Sequence, residues 1–189
     1  MSQGYDVKKM QRKAGKQGRE GLDKTEAARF SRIIAEKLIA SGYASAGLIF
    51  SYQSFPGEVD TAFFNEWAAS NGKRLAYPVC HEDGRMLAAL PNSPEDFEVG
   101  KFGIKFPVEN RSQIIPPSEI ELVIVPCVAF DGKRKMRIGM GAGYYDRYLP
   151  QCEKAVKIAV AFEAQHIEGL WTDPWDAPLD FVVTEKSWY

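Results

Sequence analysis

Residues 125–149 read VPCVAFDGKRKMRIGMGAGYYDRYL, and the fold is decided by how this stretch is parsed. The apolar run 122–125 leads into it and is closed by Pro126, as a buried strand is closed before a loop. A basic segment follows, with Lys133, Arg134, Lys135 and Arg137 close together. Gly139, Gly141 and Gly143 then recur at alternate positions before the helix-compatible run 144–149. Strand, glycine loop and helix in that order suit an anion. Glycines let successive backbone N–H groups converge on phosphate oxygens, and a helix starting near Gly143 adds its positive end. A Gly-x-Gly-x-Gly alone is most often only a flexible turn. No Gly-Lys-Ser/Thr follows, so the Walker pattern is absent. The third glycine comes two residues after the second, so the dinucleotide-binding spacing fails as well.

Outward from the loop, the chain alternates strand-like and helix-like segments. Asp23 with Glu26 three residues on forms a capping box for a helix over 24–40, whose Ala27, Phe30, Ile34 and Leu38 recur at helical spacing. The stretch 47–52 reads as a buried strand, and a helix carrying Phe63, Phe64 and Trp67 starts at Asp60 or Thr61. Strands are predicted at 74–79 and 86–90, separated by the hairpin-like turn 81–84, and again at 121–126, 156–162 and 181–184. Prolines punctuate residues 91–120, which read as an irregular surface excursion. Gly15, Gly18 and Gly21 argue against one long helix in the N-terminal segment. The alternation predicts an α/β fold, a single domain over 1–189 with a mostly parallel central sheet covered on both faces.

The formal net charge of −1 gives no reason to expect a nucleic-acid partner, and no apolar run reaches the length of a membrane helix. Positive charge instead gathers in two blocks. Ten Lys/Arg stand against five Asp/Glu in residues 1–40, and five against two in 126–150. Interrupting acids and the lack of an apolar signal core argue against a targeting peptide. The three cysteines, Cys80, Cys127 and Cys152, are widely spaced and form no Cys-x-x-Cys pair, which suits a reducing cytoplasm. Cys80-His81 are neighbours in sequence, which is no evidence of a catalytic dyad.

The string Arg137-x-Gly139-x-Gly141-x-Gly143-Tyr144-Tyr145-Asp146-Arg147-x-Leu149, preceded by Pro126-x-x-Ala129-Phe130-Asp131, resembles the hallmark of the 5-formyltetrahydrofolate cyclo-ligases. The resemblance extends to Lys8-Lys9-x-x-Arg12, Gly57-Glu58-Val59-Asp60-Thr61, Phe102-Gly103-Ile104 and Leu179-Asp180-x-Val182-Val183-Thr184-Glu185, so it covers most of the chain. Phe106 departs from the bacterial pattern, standing where a glutamate usually precedes the proline.

The resemblance implies a three-layer α/β/α architecture and ATP-dependent closure of 5-formyltetrahydrofolate to 5,10-methenyltetrahydrofolate, with ADP and phosphate released. It implies Mg2+ as cofactor, with ATP and a reduced folate, free or polyglutamylated, as partners of a cytoplasmic monomer. Lys8, Lys9 and Arg12, within a basic segment 1–22, would contact ATP. So would Arg137, Ile138, Gly139, Met140, Gly141, Ala142, Gly143, Tyr144 and Tyr145. Arg137 and Asp146 would carry the catalysis, and Asp146 and Asp180 match the magnesium positions. Gln53, Phe55, Glu58 and one of the two tyrosines, Tyr144 before Tyr145, would meet the folate, Glu58 accepting hydrogen bonds from the pterin. On other readings Asp146 balances Arg147, Asp180 caps a strand end and Glu58 is an exposed loop acid. Two rival functions remain open: a non-catalytic module binding folate or a phosphorylated metabolite, and a nicotinamide oxidoreductase, which the glycine spacing disfavours.

Overall fold

The computed structural model describes residues 3–100 and 103–189; Phe102, part of one expected motif, lies outside them. The chain begins with two helices, α1 (Gln3–Glu20) and α2 (Lys24–Ala40), then strand β1 (Leu48–Phe50), helix α3 (Ala62–Ser70) and strands β2 (Arg74–Cys80) and β3 (Met86–Pro91). Short strands β4 (Phe97–Val99), β5 (Lys105–Pro107) and β6 (Ser112–Ile115) precede β7 (Leu122–Pro126), β8 (Ala129–Asp131) and β9 (Met136–Ile138). Helix α4 (Tyr144–Tyr148), β10 (Val156–Val160) and β11 (Phe181–Val183) complete the order. The capping box forms as the sequence predicts: Asp23 Oδ1 accepts from the N–H groups of Thr25 and Glu26, and Glu26 reaches back to the Asp23 N–H.

Among the described residues a seven-stranded sheet runs in the order β11-β10-β7-β1-β2-β3-β6. Strands β11, β10, β7, β1 and β2 are parallel, while β3 and β6 pair antiparallel at one edge. The central strand β7 reads Leu-Val-Ile-Val-Pro without polar alternation because both its faces are covered; Leu122 to Val125 are all buried. One face packs against Ile34, Ala35 and Leu38 of α2 and Phe64 and Ala68 of α3. The opposite face receives Tyr148, Leu149 and Cys152, so its helical cover is short, with α4 spanning five residues.

After β1 the chain steps to β2 on one side, and after β6 it returns to β7 on the other. The junction of β1 and β7 is therefore the point where strand order reverses, and loops at the carboxyl ends of these strands bound a crevice there.

Two expectations are corrected. The stretch 91–120 is not wholly irregular: β4 and β5 form a small hairpin and β6 joins the main sheet, with Ile115 buried at its end. Strands of three or four residues interrupted by proline carry too little pattern to read. The N-terminal glycines do not break α1 either. A Cβ on Gly15 would stand 2.3 Å from the Val128 carbonyl oxygen, and one on Gly18 2.0 Å from that of Ala164. These glycines let the helix backbone lie directly on the segment after β7 and on the turn after β10. In a free helix alanine is better than glycine by about 1 kcal/mol, yet Gly15→Ala and Gly18→Ala should each destabilise this fold by roughly 1–3 kcal/mol through overpacking. Urea denaturation checks this, and a stabilised variant would mean that α1 is not docked in this way.

Candidate functional site

The glycine loop begins where β9 ends and is held shut at its two ends. Arg137, the middle residue of β9, is 5% exposed, and its Nη1 lies 3.0 Å from Oδ1 of Asp146 in the first turn of α4. The backbone of Ala177 completes the clamp, its carbonyl accepting from Arg137 Nη1 at 3.3 Å and its N–H donating to Asp146 Oδ1 at 3.2 Å. Asp146 thus pairs with Arg137, not with the neighbouring Arg147, whose guanidinium donates to the carbonyls of Gly84 and Ala142. Gly141 and Gly143 have positive φ, +116° and +70°, so the loop takes a path that L side chains rarely follow. Ile138 is buried, whereas Met140, Gly141 and Ala142 are exposed.

The N-terminal helix lies against this loop. Arg12 Nε donates to the Gly139 carbonyl at 2.9 Å, joining residues that the sequence places in different basic blocks. Lys8 is engaged elsewhere, its ammonium 2.7 Å from Asp173 and 2.5 Å from Asp176. Burial alone would lower its pKa, but the hydrogen bonds to those two carboxylates outweigh this and hold it above the usual lysine value. Lys9 is exposed.

Tyr144 donates from its hydroxyl to the His81 carbonyl at 2.9 Å. Tyr145 turns inward, with its ring 6.3 Å from that of Phe50 and its hydroxyl shielded without a hydrogen-bond partner. Burial drives its pKa far above the ordinary tyrosine range. Burial likewise pushes the Cys127 thiol up to about 12, against the pull of Arg137, so it is no thiolate at neutral pH.

Beside the carboxyl end of β1, an open cleft of about 550 Å3 is lined by Gln53, Phe55 and Glu58, by Ser31 of α2 and by Ile104 and Lys105 of the β4–β5 turn. Glu58 Oε2 accepts from the Phe55 N–H at 3.0 Å, which fixes the carboxylate across its own turn. Phe106 stays outside the lining residues and is 42% exposed.

Asp180 is placed apart from these groups. It precedes β11, on the amino side of the sheet, and its carboxylate accepts from the Lys157 N–H at 2.7 Å. No hydrogen bond or ion pair among the described residues joins it to Asp146, and the strand-capping reading describes the bond that it makes. No cluster of three or more His, Cys, Asp or Glu suited to a metal occurs among the described residues. The sequence reading missed Arg19. It lies in the last turn of α1 with Nε and Nη1 shielded from solvent and unpartnered, and a lone basic residue among several carries no signal that would single it out.

A mostly parallel sheet, with a clamped glycine loop and an open, carboxylate-bearing cleft at the point where strand order reverses, defines the class of this α/β protein. The sequence profile of the 5-formyltetrahydrofolate cyclo-ligase family matches residues 5–185, and the chain belongs to that family. It is therefore an enzyme of the cyclo-ligase class. It is 34% identical over 134 residues to the 5-formyltetrahydrofolate cyclo-ligase of Haemophilus influenzae, covering 68% of this chain and 70% of that one. Its fold is similar to that of Aquifex aeolicus 5,10-methenyltetrahydrofolate synthetase, with a TM-score of 0.82, 33% identity and coverage of 96% of this chain and 91% of the other. The Mycoplasma pneumoniae synthetase superposes with a TM-score of 0.76 at 27% identity, covering 94% and 98%.

Burial raises the Glu58 pKa above 4.5, opposed by the Phe55 N–H and by the charge of Arg19. The folded protein therefore holds this proton more tightly than the unfolded chain does. The associated stability is complete below 4.5 and is lost as pH rises through the elevated folded value. Glu58→Gln should consequently melt no lower than the wild type at neutral pH, and any advantage should vanish below 4.5. Thermal melts across that range check the sign; a variant clearly less stable at neutral pH would show that the ionised carboxylate is a net stabiliser.

Proposed function

We propose that this chain is the ATP-dependent 5-formyltetrahydrofolate cyclo-ligase, binding ATP phosphates under α1 at the glycine loop and the folate in the cleft beside Glu58. The observation that carries this reading is the Arg12–Gly139 bond, which sets the N-terminal basic helix on the glycine loop. The two blocks of positive charge in an otherwise balanced sequence thereby become one site for a polyanion.

The chemistry asks for positioning more than for a nucleophile from the protein. A formyl oxygen is a poor leaving group. It attacks the γ-phosphorus of ATP, the bond from that phosphorus to the bridging oxygen breaks, and ADP leaves. N10 of the folate then attacks the activated carbon, gives up its proton, and the carbon–oxygen bond breaks to release phosphate. Loop N–H groups together with Arg12 and Arg137 would neutralise charge on the transferred phosphoryl group. Glu58 would accept from the pterin N–H groups. Lys8, bound by Asp173 and Asp176, would hold the 171–179 segment against α1 unless ATP draws it away. Magnesium fits in part: Asp146 offers one hard oxygen ligand, and one carboxylate suffices for an ion that keeps water and phosphate as its other ligands and offsets phosphate charge. We assign that role to Asp146 and leave Asp180 a structural one. Free thiols at Cys80, Cys127 and Cys152 accord with work in a reducing cytoplasm, and one domain acting as a monomer suffices for these steps.

Incubation with ATP, magnesium and 5-formyltetrahydrofolate should generate the methenyltetrahydrofolate absorbance; binding without turnover would favour the non-catalytic alternative. Asp146→Asn should lower turnover on the order of 100-fold and raise the magnesium concentration required, whereas Asp180→Asn should leave that requirement unchanged. The reverse pattern, in variants shown to be folded by circular dichroism, would move the ion to Asp180.

A further inference from the structure

The edge of a tetrahydropterin that bears its lactam presents three polar groups in a row: the 2-amino group, N3–H and the C4 carbonyl oxygen. A carboxylate can accept from the first two and leaves the oxygen in need of a donor. Arg19 is a nearby side chain with two donors that have no other use. Its Nε and Nη1 are shielded from solvent and have no partner, a costly state for a cation unless a ligand supplies the acceptor. It lies beside Gly57, the residue before Glu58: a Cβ built there would stand 3.6 Å from Arg19 Nε, in ordinary contact. Gly57 has a positive φ of +85°, and the guanidinium lies beside the backbone of the Glu58 turn. The charges of Arg19 and Glu58 act on each other, yet no ion pair among the described residues closes between them; with Glu58 Oε2 taken by the Phe55 N–H, Oε1 and the two shielded guanidinium donors are left for a third group.

We propose that Arg19 is a specificity-determining residue of the folate site, donating to the pterin C4 oxygen while Glu58 accepts from N3–H and the 2-amino group. The inference rests on the reading of the cleft as a folate site. Other shielded, unpartnered donors, Arg137 Nε and the hydroxyls of Tyr145 and Tyr148, belong to the clamp and helix of the glycine loop. Arg19 instead stands at the opposite end of α1 from Lys8, over the loop that carries Glu58. A guanidinium also discriminates: it donates to a carbonyl and repels an amino group at the same position, so the Glu58–Arg19 pair reads 4-oxo against 4-amino pteridines.

The test compares binding of 5-formyltetrahydrofolate and its 4-amino-4-deoxy counterpart to the wild type, Arg19→Met and Arg19→Lys by calorimetry, with the ATP KM measured in parallel. The wild type should prefer the 4-oxo ligand by roughly 10- to 100-fold, the worth of a charge-assisted hydrogen bond. Arg19→Met should lose that factor on the 4-oxo ligand alone, Arg19→Lys should keep part of it, and the ATP KM should move by no more than about twofold. Equal loss on both ligands would reduce Arg19 to a prop for the Glu58 turn, and a raised ATP KM with folate binding intact would turn it toward phosphate; either overturns the proposal. If Arg19→Met does not fold, unchanged selectivity in Arg19→Lys overturns it. A wild type that turns over formylfolate without preferring the 4-oxo ligand defeats this inference alone, whereas one that binds neither folate defeats the proposed function with it.

Discussion

The ion pair between Arg137 and Asp146 is the constraint on which the rest of the site depends. It joins the strand before the glycine loop to the helix after it, so glycines that would otherwise form a loose turn are held at both ends. Arg137 is almost wholly buried while the Asp146 side chain is 23% exposed, so removing Asp146 leaves a buried cation uncompensated at a cost of about 3–5 kcal/mol, and removing Arg137 costs less. Ala177 makes the pair a three-way junction, through which the segment 171–179 is fixed to the loop. That segment carries Asp173 and Asp176, which hold Lys8, and α1 bonds Gly139 through Arg12. One buried pair thus sets the position of three pieces of chain distant in sequence.

The sheet gives this assembly its place. Strand order reverses between β1 and β7, and the loops leaving their carboxyl ends separate there. One of them carries Glu58, and the other leads through β8 and β9 to the glycines. Helix α1 bridges both, with Arg12 on the glycine loop and Arg19 over Gly57. The bridge needs the close approach that Gly15 and Gly18 allow, so residues that weaken a free helix are what seat this one. Packing and site geometry therefore share the same glycines.

Much of this was legible in the sequence because it is local. The capping box of α2, the unbroken apolar run of β7, the hairpin turn after β2 and the glycine loop each lie within a few residues, where periodicity and turn chemistry act. What stayed hidden is non-local. Asp146 stands next to Arg147 in the chain, which left that pair as an alternative reading; the fold instead brings it to Arg137. Lys8 reads as a free cation until the carboxylates at 173 and 176 arrive from the far end of the chain. Asp180 reads as one of a pair with Asp146, but register places it beside Lys157 at the start of a strand. Arg19 became visible only through what it lacks, because unmet donors can be counted only once the surroundings are known.

Under the proposed function, α1 and the glycine loop form one phosphate site, separate from the heterocycle cleft at Glu58. The most direct measurement follows backbone amide shifts of the isotope-labelled protein by NMR as an ATP analogue unable to transfer its γ-phosphate is added, followed by 5-formyltetrahydrofolate. The first ligand should move Gly139, Gly141, Gly143 and Arg12 most, and residues 53–58 and Arg19 should respond chiefly to the second. An ATP response centred on 53–58, with the glycine loop silent, would contradict the account.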